Sequence, residues 1–242
     1  PGFKPDYIIH AAGIASPSHY RRMPVAALEA SIGGLRNMLD LAGETGAKLL
    51  FTSSSEIYGD PTVVPTPETY TGASDTMGER SCYDEGKRVG ETLCYMAGQN
   101  GVPATVVRFF NAFGPGMRDD DRRFMPELRN AVRTGRAMRI YGTGLQTRTF
   151  CFVSDAVRGC LQALVDGAPG RAYNIGNDKP ELSMLDVCRI ADVEIHMVPA
   201  PHDWPSGGDP NRRCPDISRA RRELGFEPRI PFENGLREFL AS

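Results

Sequence analysis

Apolar positions along this chain fall into short continuous runs separated by stripes at helical spacing. DYIIHAA (6–12), AKLLFTSSS (47–55) and ATVVRFF (104–110) have the length and composition of buried strands. Between the first two, the stretch 24–46 carries Leu28, Ile32, Leu35, Leu39 and Ala42 on one helical face and stops at Gly46. A Pro-rich loop from Asp60 to about Ser81 leads into an amphipathic segment, SCYDEGKRVGETLCY (81–95). A helix near 123–135, a strand at 139–142 (RIYG), the stretch 148–167 and a strand at 172–176 (AYNIG) continue the alternation. Such alternation predicts an α/β protein whose parallel sheet is covered on both faces. After Ser183 the period fades, and PHDWPSGGDPNRRCPD reads as loop.

Charge and composition narrow the function. The formal net charge of -2, from 28 basic and 30 acidic side chains, gives no basic footprint for nucleic acid and fits an enzyme or binding domain for small molecules. Cysteines 82, 94, 151, 160, 188 and 214 are scattered, which predicts free thiols, a reducing compartment and no structural zinc. No apolar run approaches the roughly 18 to 20 residues of a membrane span, so a soluble, cytoplasmic protein is expected. One absence matters: no G-x-G-x-x-G turn follows the first strand, where a dinucleotide-binding sheet normally carries it. Either the fold is of another kind, or the chain lacks its beginning.

Candidate chemistry gathers at two places. Tyr83 and Lys87 stand four residues apart, hence on one helix face, and an ammonium there favours a phenolate able to act as a base. The pair alone is weak, because the spacing arises by chance in many helices. Ser53, Ser54, Ser55 and Glu56 add hydroxyls and a carboxylate at the end of a predicted buried strand, where ligands sit in open α/β sheets. Turn and capping chemistry would explain the serines equally well. His10 ends a strand and reads as structural; His19, His196 and His202 lack ligand spacing, and Trp204 falls in a loop, so no metal site is expected.

Taken together, IIHAAG, TSSSEIYGDP, CYDEGKRVGETL, VVRFFNAFGPGM, YGTGLQTRTFCFVSD, AYNIGN and RRCPDISRARRELGFEP resemble, in order and spacing, the extended short-chain dehydrogenase/reductase family of nucleotide-sugar enzymes. Within it they are most similar to the branch that decarboxylates UDP-glucuronate. The resemblance covers nearly the whole chain. It implies a Rossmann-type doubly wound sheet whose first strands, with the glycine turn, would precede Pro1, and a second gap near 190–198. It also implies a cofactor-binding portion at 1–110 and a smaller C-terminal α/β nucleotide-sugar-binding region at 111–242, with 139–176 returning partly to the core sheet. A homodimer through the helices at 24–46 and 83–99 is expected on the same ground.

The resemblance further implies roles. Tyr83 would take the proton of the sugar 4-hydroxyl as hydride passes to NAD, and Lys87 would hold the tyrosine pKa low and hydrogen-bond the nicotinamide ribose, both residues thus also meeting the cofactor. Ser54 or Ser55 would bind the oxygen on carbon 4, Glu56 would orient or reprotonate the sugar, and Arg213 would assist the carboxylate or the protonation. Ala11, Ala12, Gly13 and Ser53 would line the cofactor path. Asn111 would meet the substrate diphosphate and Arg148 the nucleotide, while Arg212 reads equally as a solvated loop charge. Serine at 55 removes the acid that a 4,6-dehydratase needs, and Glu56 is uncommon among simple 4-epimerases. Ser31, where many relatives have asparagine, and Gly34-Leu35, in place of Gly-Thr, keep a UDP-glucuronate 4-epimerase open. A non-catalytic nucleotide-sugar-binding protein is the remaining alternative.

Overall fold

A computed structural model describes residues 2–199 and 210–242; His202 and Trp204 lie outside the described residues. A four-stranded parallel sheet forms the centre, in the order β1 (Tyr7–His10), β2 (Lys48–Ser54), β3 (Ala104–Phe109) and β8 (Ala172–Ile175). One face is covered by α2 (Pro24–Thr45) and α3 (Ser81–Gln99), reached from β1 through the short α1 (Pro17–Tyr20). There Leu35, Leu39, Phe51, Cys94 and Val106 pack together. The other face is covered by α5 (Val153–Asp166) and α7 (Ser218–Leu224), around Leu50, Val107, Ile175 and Phe226. The predicted parallel sheet with helices on both faces is therefore the observed one.

Local chemistry explains the boundaries. Gly46 closes α2 in the left-handed conformation, φ 76°, which costs glycine little. Pro24 begins the same helix, where a missing N–H is harmless. Gly90 lets α3 press onto β2: a Cβ there would stand 2.5 Å from Phe51 Cζ. This close approach sets the height of the Tyr83 and Lys87 face over the strand. Replacing Gly90 by alanine is expected to cost about 1–3 kcal/mol, as overpacking typically does. A falling Tm with unchanged secondary structure by circular dichroism is the check; an unchanged Tm would show that Phe51 yields without cost.

Downstream, a second core joins Phe113, Leu128, Ile140, Phe152, Leu236 and Phe239. It gathers β4 (Ala112–Phe113), α4 (Phe124–Thr134), β5 (Met138–Tyr141), β7 (Cys151–Phe152) and α8 (Phe232–Leu240). The segment 139–142 is a strand as expected, but it pairs with β10 (Ile195–Val198) in a separate two-stranded sheet. A three-stranded sheet joins β6 (Thr147–Arg148), β9 (Leu182–Ser183) and β11 (Arg212–Arg213).

The irregular reading after Ser183 is corrected by three helices: α6 (Met184–Ile190), α7 and α8. Ser183 and Asp186 form a reciprocal capping box at the start of α6, a signal readable from S-x-x-D. In α8 the apolar residues that turn fully inward are Phe232, Leu236 and Phe239, beside buried Gly235, too few in a short helix to make a long periodic pattern. All six cysteines are buried and unpaired.

Candidate active site

The carboxyl ends of β1, β2 and β3 open into a cavity of about 1310 Å³, larger than the roughly 300–1,000 Å³ of an ordinary small-molecule site. Its wall includes Ser54, Glu56, Tyr83, Lys87, Asn111 and Arg148. Residues from the sheet and from the downstream region thus share one concavity. At strand ends of a parallel sheet, such placement is what an α/β ligand site requires.

Tyr83 and Lys87 are not surface decoration. Both are buried, at 8% and 4% exposure, on the face of α3 that meets β2. Tyr83 shares a hydrogen bond with Ser54. The Lys87 ammonium donates to the Thr52 carbonyl at 2.7 Å and lies over the Phe51 ring, 4.9 Å from its centroid. Burial lowers its pKa to about 8, and the Glu91 carboxylate one turn later opposes the shift. Burial pushes the Tyr83 phenol up, with Ser54, Arg123 and Arg80 pulling the other way. The Lys87 ammonium also lies 5.7 Å from the Tyr83 ring centre.

Tyr20 stacks on the opposite side of Tyr83, ring centroids 5.4 Å apart and 12° from parallel. Both tyrosines belong to a small apolar cluster with Ala27 and Cys82, so the catalytic-type phenol is held between α1 and α3.

The serines separate into different tasks. Ser54 caps the 3-10 turn Ser55–Tyr58, accepting from Glu56 N at 3.2 Å, while its contact with Tyr83 faces the cavity. Ser53 turns its hydroxyl to Glu91, which is paired with Arg108. Ser53 also lines the cavity. Ser55 is buried at the start of the turn and also borders the cavity.

Glu56 stands between two guanidiniums. Arg80, just before α3, contacts its Oε2, and Arg213 from β11 approaches the same oxygen at 3.3 Å. Arg213 also donates to the Gly59 carbonyl. Gly59 itself has φ 63°, and a Cβ there would lie 2.3 Å from the Ala73 carbonyl oxygen, so this turn admits only glycine. Asp84 adds a second buried carboxyl, 3.9 Å from Arg80 and with Oδ1 unbonded. Burial raises its pKa to about 6, against the opposing pull of Arg80 and Arg213. Arg80 and Asp84 were not anticipated from the sequence.

The remaining expected residues are placed as follows. Asn111 adopts φ 41° at the end of β3, a conformation asparagine tolerates, and donates from Nδ2 to the Thr149 carbonyl at 2.8 Å. Arg148 is buried on β6 and donates to Thr147 O at 2.8 Å. Arg212 points outward to Glu181 at 2.6 Å, in keeping with a surface pair. Ala11 and Gly13 border the cavity after β1, and Ala12 is exposed beside them. His10 is buried against Phe51, its pKa lowered by burial and then by Lys87. No cluster of metal-ligating side chains exists among the described residues.

The family model for the NAD dependent epimerase/dehydratase family matches residues 2–176. The chain belongs to that family. UDP-glucuronic acid decarboxylase 6 of Arabidopsis thaliana is 42% identical over 238 residues, covering 96% of this chain and 67% of the relative. UDP-glucuronic acid decarboxylase 1 of Xenopus tropicalis is also 42% identical, over 96% of this chain and 55% of its own length. A solved UDP-glucose 4-epimerase from Thermotoga maritima, with UDP-glucose, superposes with TM-score 0.88 at 25% identity, covering 98% of this chain and 76% of that one. The fold is thus the Rossmann-type fold of these sugar-nucleotide enzymes.

Family membership makes NAD the cofactor, and the residues present fit it. Ala11 and Gly13 present small residues at the strand end, and a Cβ on Gly13 would already touch Lys87 Nζ at 3.4 Å. Only small residues keep that strand end clear.

Proposed function

We propose that this protein is an NAD-dependent UDP-glucuronate decarboxylase that forms UDP-xylose through a 4-keto sugar. The observation that carries the reading is the joint placement of Tyr83, Ser54 and Glu56 on one cavity wall, with buried Arg213 against the Glu56 carboxylate, in a chain whose decarboxylase relatives match over 96% of its length.

Bound NAD would take the hydride of sugar carbon 4 and later return it. The chain's own residues do the rest. Tyr83 removes the proton of the 4-hydroxyl, with Ser54 sharing that proton and holding the oxygen on carbon 4. Lys87, anchored by Thr52, would help hold the cofactor, and its positive charge favours the ionised phenol. The ketone at carbon 4 lies β to the carboxylate on carbon 5, so the bond to carbon dioxide breaks with its electron pair delocalised into an enolate. Arg213 steadies the negative charge, and Glu56 guides reprotonation at carbon 5. Arg148 grips the nucleotide portion, and Asn111, whose amide already bonds Thr149, presents its remaining polar atoms to the diphosphate.

Two finer readings go with this. A homodimer through α2 and α3 is supported by exposed Val25, Val89, Tyr95 and Met96 on those helices. Six unpaired cysteines support a reducing, cytoplasmic compartment, and no described helix is long and apolar enough to cross a membrane.

The deciding experiment incubates the holoenzyme with UDP-glucuronate and catalytic NAD+ and follows the products by NMR and mass spectrometry. A UDP-pentose with release of carbon dioxide is expected. Unchanged mass with carbon 4 inverted would make the protein a 4-epimerase.

A further inference from the structure

We propose that Arg80 is a positioning residue for Glu56, held in place by Asp84, and that it fixes where the carboxylate stands when carbon 5 of the sugar is reprotonated. The inference rests on the decarboxylase reading above.

Three observations lead to it. Glu56 sits on a single 3-10 turn and carries its carboxylate on a flexible side chain, so its position is set by what grips it. Arg213 grips it from β11 and Arg80 from the start of α3, so two separate elements converge on one oxygen. Arg80 is itself confined: its side chain is 16% exposed, it borders the cavity, and Asp84, one turn along α3, faces its Nε at 3.9 Å. Because Arg80 precedes Tyr83 by three residues, it also ties the position of Glu56 to the helix that carries the phenol. The two groups that handle protons on the sugar are thereby fixed to the same rigid element.

Charge balance supports the same picture. Arg80 and Arg213 face the carboxylates of Glu56 and Asp84. Glu85 and Arg88 on α3 act on Asp84 more weakly, and Tyr20 from α1 lies within its field. Asp84, protonating near pH 6, would lose its hold on Arg80 in acid. Arginine rather than lysine suits the position, because a planar fork can serve Glu56 and Asp84 at once.

The test compares wild type, R80A, R80K and D84N as holoenzymes turning over UDP-glucuronate. R80A is expected to lower kcat by about 100-fold, the cost of a misplaced catalytic group, with KM changed less than about 3-fold. It should also release a larger share of product as the 4-keto pentose, the enolate taking its C5 proton from solvent and one NADH being left for each molecule released, since oxidation and decarboxylation precede the step that Glu56 guides. Added guanidinium should restore part of the R80A rate. R80K should recover less than a tenth of the wild-type rate, and D84N should flatten the acid limb of the kcat profile near pH 6. R80A turnover within about 3-fold of wild type, or a loss confined to KM, would overturn the inference. So would an R80A defect that guanidinium leaves untouched while R80K, with native Tm, keeps full rate. A wild type that releases no carbon dioxide would overturn the decarboxylase reading and this inference together.

Discussion

Replacing Tyr83 by phenylalanine is expected to lower kcat by about 100-fold or more, the low end of what a positioned acid-base group contributes. The ring stays, so stacking on Tyr20 and packing against Ala27 and Cys82 are kept. Only the phenolic oxygen is lost, and with it the bond to Ser54. The Tm should therefore change little while turnover collapses, and KM should hold, because the group acts on the transition state rather than on the bound sugar. Steady-state kinetics on UDP-glucuronate with a parallel thermal melt separates the two. Undiminished turnover in Y83F would remove the mechanism at its first step.

Lys87→Met is expected to move activity and stability in opposite directions. Activity should fall by at least about 10-fold, since the charge that favours ionised Tyr83 is gone. Stability should rise. In the folded chain the Lys87 pKa is about 8, below its ordinary value of 10.5. Between those values the unfolded chain binds more protons than the folded one, so stability increases as pH rises through that window and is lowest below it. Methionine abolishes the burial cost, on the order of 1–3 kcal/mol at neutral pH, less what the orphaned Thr52 carbonyl forfeits. Thermal melts at pH 7 and pH 10 should show K87M above wild type at the lower pH and a narrower gap at the higher. A lower Tm for the variant at both would mean that the bond to Thr52 outweighs the burial of charge.

What the chain revealed before its structure follows from how far each signal reaches. The strands and α2 were legible because their apolar residues repeat within one element, and α3 because Tyr83 and Lys87 share a helical face. Glu56 stood out at a strand end, but Arg213 was found only through resemblance, since nothing local says that residues 157 apart will pair. Arg80 escaped notice because its charge looks like any helix-start arginine until the 3-10 turn is placed beside it. Three serines in a row look alike in sequence, and only the structure shows that Ser53 bonds Glu91 while Ser54 meets Tyr83. The late helices were hidden by short length and sparse apolar positions.

The distance along the chain between Glu56 and Arg213 has a meaning for synthesis. A ribosome releases the sheet, the serines and α3 long before β11, so an emerging chain holds Tyr83 and Lys87 with only Arg80 facing Glu56. The second guanidinium arrives when Thr66 and the 214–216 segment exchange backbone hydrogen bonds and lock β11 against the turn. A chain cut short before β11 would therefore keep Arg80 beside Glu56 and lack the Arg213 guanidinium.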